Sequence, residues 1–296
     1  MSLSLPENSR FALGTVQFGT AYGIANRSGQ VNLEEAAAII GCGRAAGLNT
    51  LDTAVAYGSS ETTLGQIGVS DWRIVTKLPV MPSTVAEPSV WVRETIESSL
   101  ERLGVSQLDA VLLHVPDQLL VSGGERLAAA LQRAKEERLT RSVGVSIYDA
   151  DALEAFMGAC QIDVVQAPFN LLDRRIVTSG WAERLNAMGV ELHVRSIFLQ
   201  GLLLMASKER PARFQLWSQL WSKFDIWIDE LRISPIEACL RFALFAVPNA
   251  KLVIGVDSER HLRQILDLPK VPLESPPNFE HLHDERLITP SLWSGL

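Results

Sequence analysis

The chain is poor in several things, and each shortage removes a class of function. Its 296 residues include three cysteines, Cys42, Cys160 and Cys239, far apart and without a CxxC pair. That spacing excludes a disulfide framework and a thiolate zinc site, and it fits inert thiols in a reducing compartment. Basic residues are not in excess: 27 Lys and Arg stand against 34 Asp and Glu, a net charge of −7. General nucleic-acid binders leave a basic footprint, so no nucleic-acid partner is expected. No long uninterrupted apolar run is present. The most apolar window, Ala238 to Val256, is broken by Arg241, Pro248, Asn249 and Lys251 and reads as a buried helix followed by a strand, so no membrane partner is expected. The opening MSLSLPENSR lacks a basic start followed by an apolar stretch, so no signal peptide and a cytoplasmic location are expected. The histidines and carboxylates have no spacing that suggests a shared metal ion. The turn after the first apolar run reads GTVQFGTAYG rather than GxGxxG, which argues against a doubly wound sheet.

Apolar residues are plentiful, 47% of the chain, enough for a large core. Short β-branched runs alternate with longer stretches of helical spacing. Strands are expected at Phe11–Val16, Thr50–Asp52, Arg73–Lys77, Asp109–His114, Ser142–Val145, Val164–Gln166, Glu191–Arg195 and Lys251–Gly255. Between them, Asn32–Ala46, Val90–Leu103, Glu125–Glu137 and Arg174–Met188 carry apolar residues at helical spacing. Repeated strand–helix units imply parallel pairing, and eight imply closure, so the expected fold class is α/β, a (β/α)8 TIM barrel. Residues 1–296 read as a single barrel domain with its core at about 11–268. The remainder, 269–296, reads as an irregular C-terminal tail anchored by Trp293. Leu216, Trp217, Leu220, Trp221, Phe224, Trp227, Ile228 and Leu231 share one helical face and predict an extra helix before the eighth strand.

In a parallel barrel the C-terminal ends of the strands carry the chemistry. Asp52, Lys77 and His114 fall at three consecutive strand ends, and Tyr57 lies in the loop after Asp52. Singly, each has a plain structural explanation: a turn cap, a lysine reaching water, a hydrogen-bonded core histidine, a loop-closing tyrosine. Converging on one mouth, they make a proton-transfer device. A phenol alone is a weak acid at neutral pH. A nearby ammonium favours the phenolate, and a carboxylate keeps that ammonium charged. An imidazole can hold a substrate oxygen and stabilise charge developing on it. The residues by themselves define a polar barrel mouth with an activated tyrosine and no particular reaction. Glu61 is expected to order the loop around Tyr57, and His193 to be a hydrogen-bonded core residue. Phe18, Tyr22, Val115, Pro116 and Asp117 follow strand ends and are candidates for a substrate pocket. A Schiff base on Lys77 is a rival chemistry, but it leaves Asp52, Tyr57 and the SSETTLG run without a role.

The stretch LDTAVAYGSSETTLGQIG resembles the second-strand signature of the aldo-keto reductase family, and VTKLP and LDAVLLHVPD continue the match. The resemblance runs from about Phe11 to about Leu268 and leans toward a bacterial, sugar-related branch. It implies that Asp52, Tyr57, Lys77 and His114 are the catalytic positions of a barrel that works without metal. It further implies an oxidoreductase in which a nicotinamide cofactor delivers hydride to a small-molecule carbonyl and Tyr57 protonates the oxygen. The alternative within the same resemblance is a nicotinamide-binding barrel that regulates or scaffolds a partner, with little turnover.

For the cofactor the resemblance implies a longer set. Gly14, Thr15 and Val16 match the segment that lines the nicotinamide ribose, beside Asp52. Ser146 and Gln166 would hold the nicotinamide amide, Ile147 standing where relatives have Asn. Arg195 replaces a stacking Tyr within RSIFLQGLLL, and Ser196, Gln200 and Gly201 of that run go with it. In VIGVDSERHLRQIL, the residues Gly255, Val256, Asp257 and Ser258 would offer backbone donors at a helix N-terminus. Gly255–Val256 replace a Lys-Ser pair there, and His261 and Ile265 replace Arg and Asn. Arg260 or Arg263 would then grip a 2′-phosphate, which Asp257 would oppose. NADP(H) is the implied cofactor and NAD(H) stays open. Many relatives also close the barrel floor with an N-terminal hairpin, for which ten residues before Phe11 are too few.

Overall fold

The computed structural model describes residues 8–271, 273 and 284–295. Eight strands, β1 (Phe11–Gly14), β2 (Thr50–Asp52), β3 (Arg73–Leu78), β4 (Leu108–Leu113), β5 (Thr140–Ser146), β6 (Val164–Pro168), β7 (Glu191–Arg195) and β8 (Lys251–Gly255), close into one barrel in sequential order. Every pairing is parallel, and β1 meets β8 with Phe11 opposite Leu252 and Gly14 opposite Gly255. The helices are α1 (Val16–Gly19), α2 (Leu33–Ala45), α3 (Ser60–Ile67), α4 (Pro88–Leu103), α5 (Gly124–Glu136), α6 (Leu153–Ala159), α7 (Arg175–Thr178) and α8 (Trp181–Ala187). They continue with α9 (Ser218–Leu231), α10 (Pro235–Ala246), α11 (Glu259–Leu266) and α12 (Glu285–Ile288).

The pleat decides which side chains reach the site. Ile74, Leu78, Val111, Leu113, Val143 and Val165 belong to the apolar layer between strands and helices, whereas Val75, Ala110, Leu112 and Val164 form a separate small cluster inside the barrel. Side chains on a strand share a face at every second position. Lys77 therefore follows Val75 inward, His114 follows Leu112, and Gln166 follows Val164, each nearer the C-terminal mouth. An apolar plug fills the middle, and polar groups stand above it.

Five local expectations differ from the structure. Val16 opens α1 instead of extending β1, and β4 stops at Leu113, although the His114 N–H still donates to Leu78 O at 3.0 Å. The helix expected over 174–188 is split into α7 and α8 at Gly180, whose φ of 77° is left-handed. Leu216 is 72% exposed, because it lies in the 3₁₀ turn Ala212–Trp217 ahead of α9 and the tighter winding rotates it off the apolar face. The tail is not irregular where it is described: it forms α12 and a 3₁₀ turn, Pro290–Gly295. Trp293 is buried there, donating from Nε1 to Leu287 O at 3.0 Å and meeting Phe214 edge-on at 5.0 Å. Residues 272, 274–283 and 296 of the tail, and residues 1–7 ahead of the floor, lie outside the described residues. Among the described residues no helix is long and apolar enough to cross a membrane.

Candidate active site

Tyr57 is placed by backbone contact between two loops. A Cβ at Gly19, at the end of α1, would lie 1.6 Å from Tyr57 O, and one at Gly58 would lie 2.4 Å from Gly19 O. Gly58 also has a left-handed φ of 56°. Only glycine permits this approach. Ser60, at the start of α3, fixes the same junction: its Oγ lies 2.9 Å from both Thr15 O and Thr15 Oγ1, and its N–H donates to Tyr57 O at 3.0 Å. The next residue, Glu61, is buried and accepts from Thr76 Oγ1 at 2.6 Å and from Arg102 Nε at 2.8 Å. It ties α3 to β3 and α4 behind the loop.

Inside the barrel the Lys77 side chain is 0% exposed. Its ammonium donates to Asp52 Oδ1 at 2.7 Å and to Thr53 O at 2.8 Å, and lies 4.9 Å from the centroid of the Tyr57 ring. Burial works against the charge of Lys77, but Asp52 and Tyr57 outweigh it, and the pKa of Lys77 is raised. The second Asp52 oxygen accepts from Gln166 Nε2 at 2.6 Å, and Gln166 Oε1 accepts from Ser146 Oγ at 3.3 Å. His114 meets Tyr57 edge-on with ring centroids 5.9 Å apart. Burial first, then the charges of Lys77 and Arg195, lower the pKa of His114 to about 4. At neutral pH the site thus holds a cationic lysine and a neutral imidazole on two sides of one phenol.

These groups stand at one end of a cleft of about 710 Å³, within the range of about 300–1,000 Å³ usual for small-molecule sites. Tyr57, His114 and Asp52 line it, and Lys77 lies beneath its floor. Of the residues expected at a cofactor, Gly14, Thr15, Val16, Asp52, Arg195, Ser196, Gln200, Gly201, Gly255, Val256 and Asp257 line it. The loop after β7 is wound left-handed at Ser196, Leu199, Gln200 and Gly201, with φ between 48° and 90°. Such backbone persists where its surroundings hold it; here Gln200 O accepts from Ile24 N at 3.1 Å and Gln200 Nε2 donates to Tyr22 Oη at 3.2 Å.

Five of the expected positions fall elsewhere. Ser146 and Gln166 are buried with inward parity on β5 and β6, Gln166 donating to the Asp52 carboxylate and Ser146 donating to Gln166. Ser258 Oγ accepts the His261 N–H at 3.2 Å as the cap of α11. Arg263 is held by Glu259 Oε1 at 3.1 and 2.5 Å, and Arg260 is exposed outside the lining. Arg195 does line the cleft, but it donates to Ile147 O at 3.0 Å and lies 4.6 Å over the ring of Tyr148. Among the pocket candidates Tyr22 lines the cleft; Phe18 is in the outer core, and Val115, Pro116 and Asp117 are not in the lining. His193 is buried and bonded to Glu191 Oε1 at 3.1 Å near the barrel floor.

Sequence reasoning missed Gln17, Tyr148 and Gln264, all of which line the cleft. The chain has three tyrosines, and Tyr22, Tyr57 and Tyr148 all stand in this lining; their scarcity was the available signal. Gln17 is buried with Oε1 unpartnered, and its Nε2 lies 2.5 Å from where a Cβ on Gly255 would be. A buried amide without a partner is costly, and this one faces the cleft.

The match to known proteins covers most of the chain. The model of the Aldo/keto reductase family matches residues 10–276. An NADH-specific methylglyoxal reductase of Escherichia coli (strain K12) is 27% identical over 188 residues, 53% of this chain and 54% of that protein. A D-threo-aldose 1-dehydrogenase of Pseudomonas sp is 26% identical over 191 residues, 58% of this chain and 55% of that protein. The chain thus spans about half the length of the curated relatives it matches. Among solved structures, a glycerol dehydrogenase from Gluconobacter oxydans superposes with a TM-score of 0.70 at 21% identity, covering 94% of this chain and 92% of that one, which speaks for the fold. With the closed barrel, the strand-end constellation and this match together, the chain belongs to the aldo/keto reductase family.

Proposed function

We propose that the protein reduces the carbonyl of a small aldehyde, ketone or sugar by hydride transfer, with Tyr57 as the proton donor. The observation that carries this reading is the Asp52–Lys77–Tyr57 arrangement with His114 across the ring. A reduced nicotinamide, when bound, supplies the hydride. The residues fit such a group: Gln17 Oε1 and Asp257 Oδ1 are buried without partners in the lining of the cleft, and Gly255 leaves room beside Gln17. Gly14–Gln17 and the loop after β7 would hold it. The names of the curated relatives, a methylglyoxal reductase and an aldose dehydrogenase, support a small carbonyl or sugar as substrate. The family resemblance implies NADP(H), while one relative is NADH-specific by name.

The chain's own groups divide the work. Tyr57 donates a proton to the substrate oxygen as negative charge develops there. Lys77, held charged by Asp52, stabilises the phenolate left behind. Gln166 and Ser146 fix Asp52, so the ammonium stays aimed at Tyr57. Neutral His114 hydrogen-bonds the same oxygen and orients it. Proton donation of this kind contributes about 10²–10⁴ in rate. Tyr57→Phe and Lys77→Met are expected to abolish turnover of methylglyoxal or glyceraldehyde while cofactor binding persists. Wild-type-like turnover in the folded Tyr57→Phe protein would remove the proposed mechanism.

A further inference from the structure

The end of the cleft remote from Tyr57 lies where β8 passes into α11, and Asp257 and His261 are the titratable side chains in its lining there. Glu35, on the first turn of α2, reaches across to accept the Glu259 N–H at 2.6 Å. The first N–H of α11 therefore already carries a carboxylate. Asp257, two residues earlier, lines the cleft with Oδ1 buried and unpartnered. The cations are committed or remote. Arg263 is held by Glu259 and Arg260 is exposed outside the lining. His261, the basic side chain in the lining at this end, interacts with Asp257. Among the described residues the one guanidinium in the lining is Arg195, at the other end beside His114.

Resting on the reading of this cleft as a nicotinamide-cofactor site, we propose that Glu35 and Asp257 make its adenosine end selective for NAD(H) over NADP(H). A phosphate carries about −1.5 to −2 charges at neutral pH. At this end it would meet the Asp257 carboxylate and, behind the lining, a helix N-terminus whose first donor is taken by Glu35, a poor exchange for its hydration. An unphosphorylated ribose brings hydroxyl donors instead, and Asp257 Oδ1 is an acceptor without a donor. A carboxylate that accepts from the ribose 2′-hydroxyl is the device other dinucleotide sites use to choose NAD. Glu35 adds charge from a different helix and spends the backbone donor a phosphate would need.

The test is binding, read from the emission of the reduced nicotinamide itself, because the cleft lining contains no tryptophan. NADH and NADPH are titrated separately into the full-length protein. NADH is expected to bind at least about tenfold more tightly, with the gap narrowing at high salt as repulsion is screened. Glu35→Gln should narrow the gap by tightening NADPH, and Asp257→Asn by weakening NADH. Glu35→Asp, which keeps the charge, should preserve the preference. Circular dichroism of each variant confirms folding. Equal or tighter binding of NADPH by the wild type overturns the proposal, and its loss in Arg260→Ala would return the role to a phosphate-gripping arginine. An unchanged ratio in both folded neutralising variants also overturns it. Comparable binding of both cofactors with turnover intact removes the selectivity alone, whereas no binding of either removes the reductase reading with it.

Discussion

Lys77→Met separates the structural role of the buried ion pair from its chemical one. Lys77 is fully buried, Asp52 is 3% exposed, and the two are 2.7 Å apart. Removing the ammonium strands the Asp52 carboxylate with the single Gln166 donor and leaves Thr53 O without its lysine donor. Breaking one side of a buried pair costs about 3–5 kcal/mol, because the remaining charge has lost its counterion and has little access to water. Replacing both partners removes that charge, so Lys77→Met combined with Asp52→Asn should recover much of the loss. The Asn carbonyl can still accept from Gln166. The coupling energy between the two substitutions is expected to be at least about 2 kcal/mol, in the upper part of the range for contacting residues. The assay is urea unfolding of wild type, both single variants and the double variant at pH 7, with turnover measured on the same preparations. Stability should fall in Lys77→Met and return in the double variant, while turnover stays lost in both. A Lys77→Met protein within about 1 kcal/mol of wild type, with additive effects, would refute the reasoning.

Three further outcomes follow from the same geometry. Folded His114 titrates near 4 against 6.5 for the free side chain, so the unfolded chain takes the proton first. Its contribution to stability is complete above pH 6.5 and is lost as pH falls toward 4, about 3 kcal/mol at most. His114→Gln should flatten that part of the stability–pH curve, and an unchanged slope would show that other groups set it. Gly19→Ala puts a Cβ onto the Tyr57 carbonyl; displacing Tyr57 by about 1 Å should cost about 10² in turnover, and a wild-type kcat would contradict this placement of Tyr57. Gly255→Ala meets only the end of the Gln17 side chain, so cofactor affinity should weaken severalfold while the urea midpoint stays nearly unchanged.

Much of the barrel was legible because its signals are local. The eight strand positions can be read from short, largely apolar runs between helical stretches, and alternation along a strand already places Val75 with Lys77 and Val164 with Gln166. The misreadings lie where local pattern is silent. Gly180 interrupts a helical periodicity that is otherwise continuous, and Leu216 has the right spacing for a helix face but sits in a turn wound differently. At the site, the motif placed Asp52, Tyr57, Lys77 and His114 by number, and the structure brings them to one mouth. The resemblance also put Ser146 and Gln166 at the cofactor, while strand parity turns both inward, where Gln166 meets Asp52 and Ser146 meets Gln166.

The sequence by itself determined the α/β alternation, the inward parity of Lys77, His114 and Gln166, and the residue types of the proton-transfer set. These follow from periods of two and 3.6 residues and from side-chain chemistry, which need no long-range information. Tertiary structure alone decided who faces whom. It brought Gly19 against Gly58 to fix Tyr57, gathered the tyrosines into one cleft, and carried Glu35 from α2 to the first N–H of α11, 224 positions along the chain. Closure of β1 onto β8 puts the first and last barrel units side by side. Contacts across that seam decide which charges a ligand meets, and no local pattern encodes them.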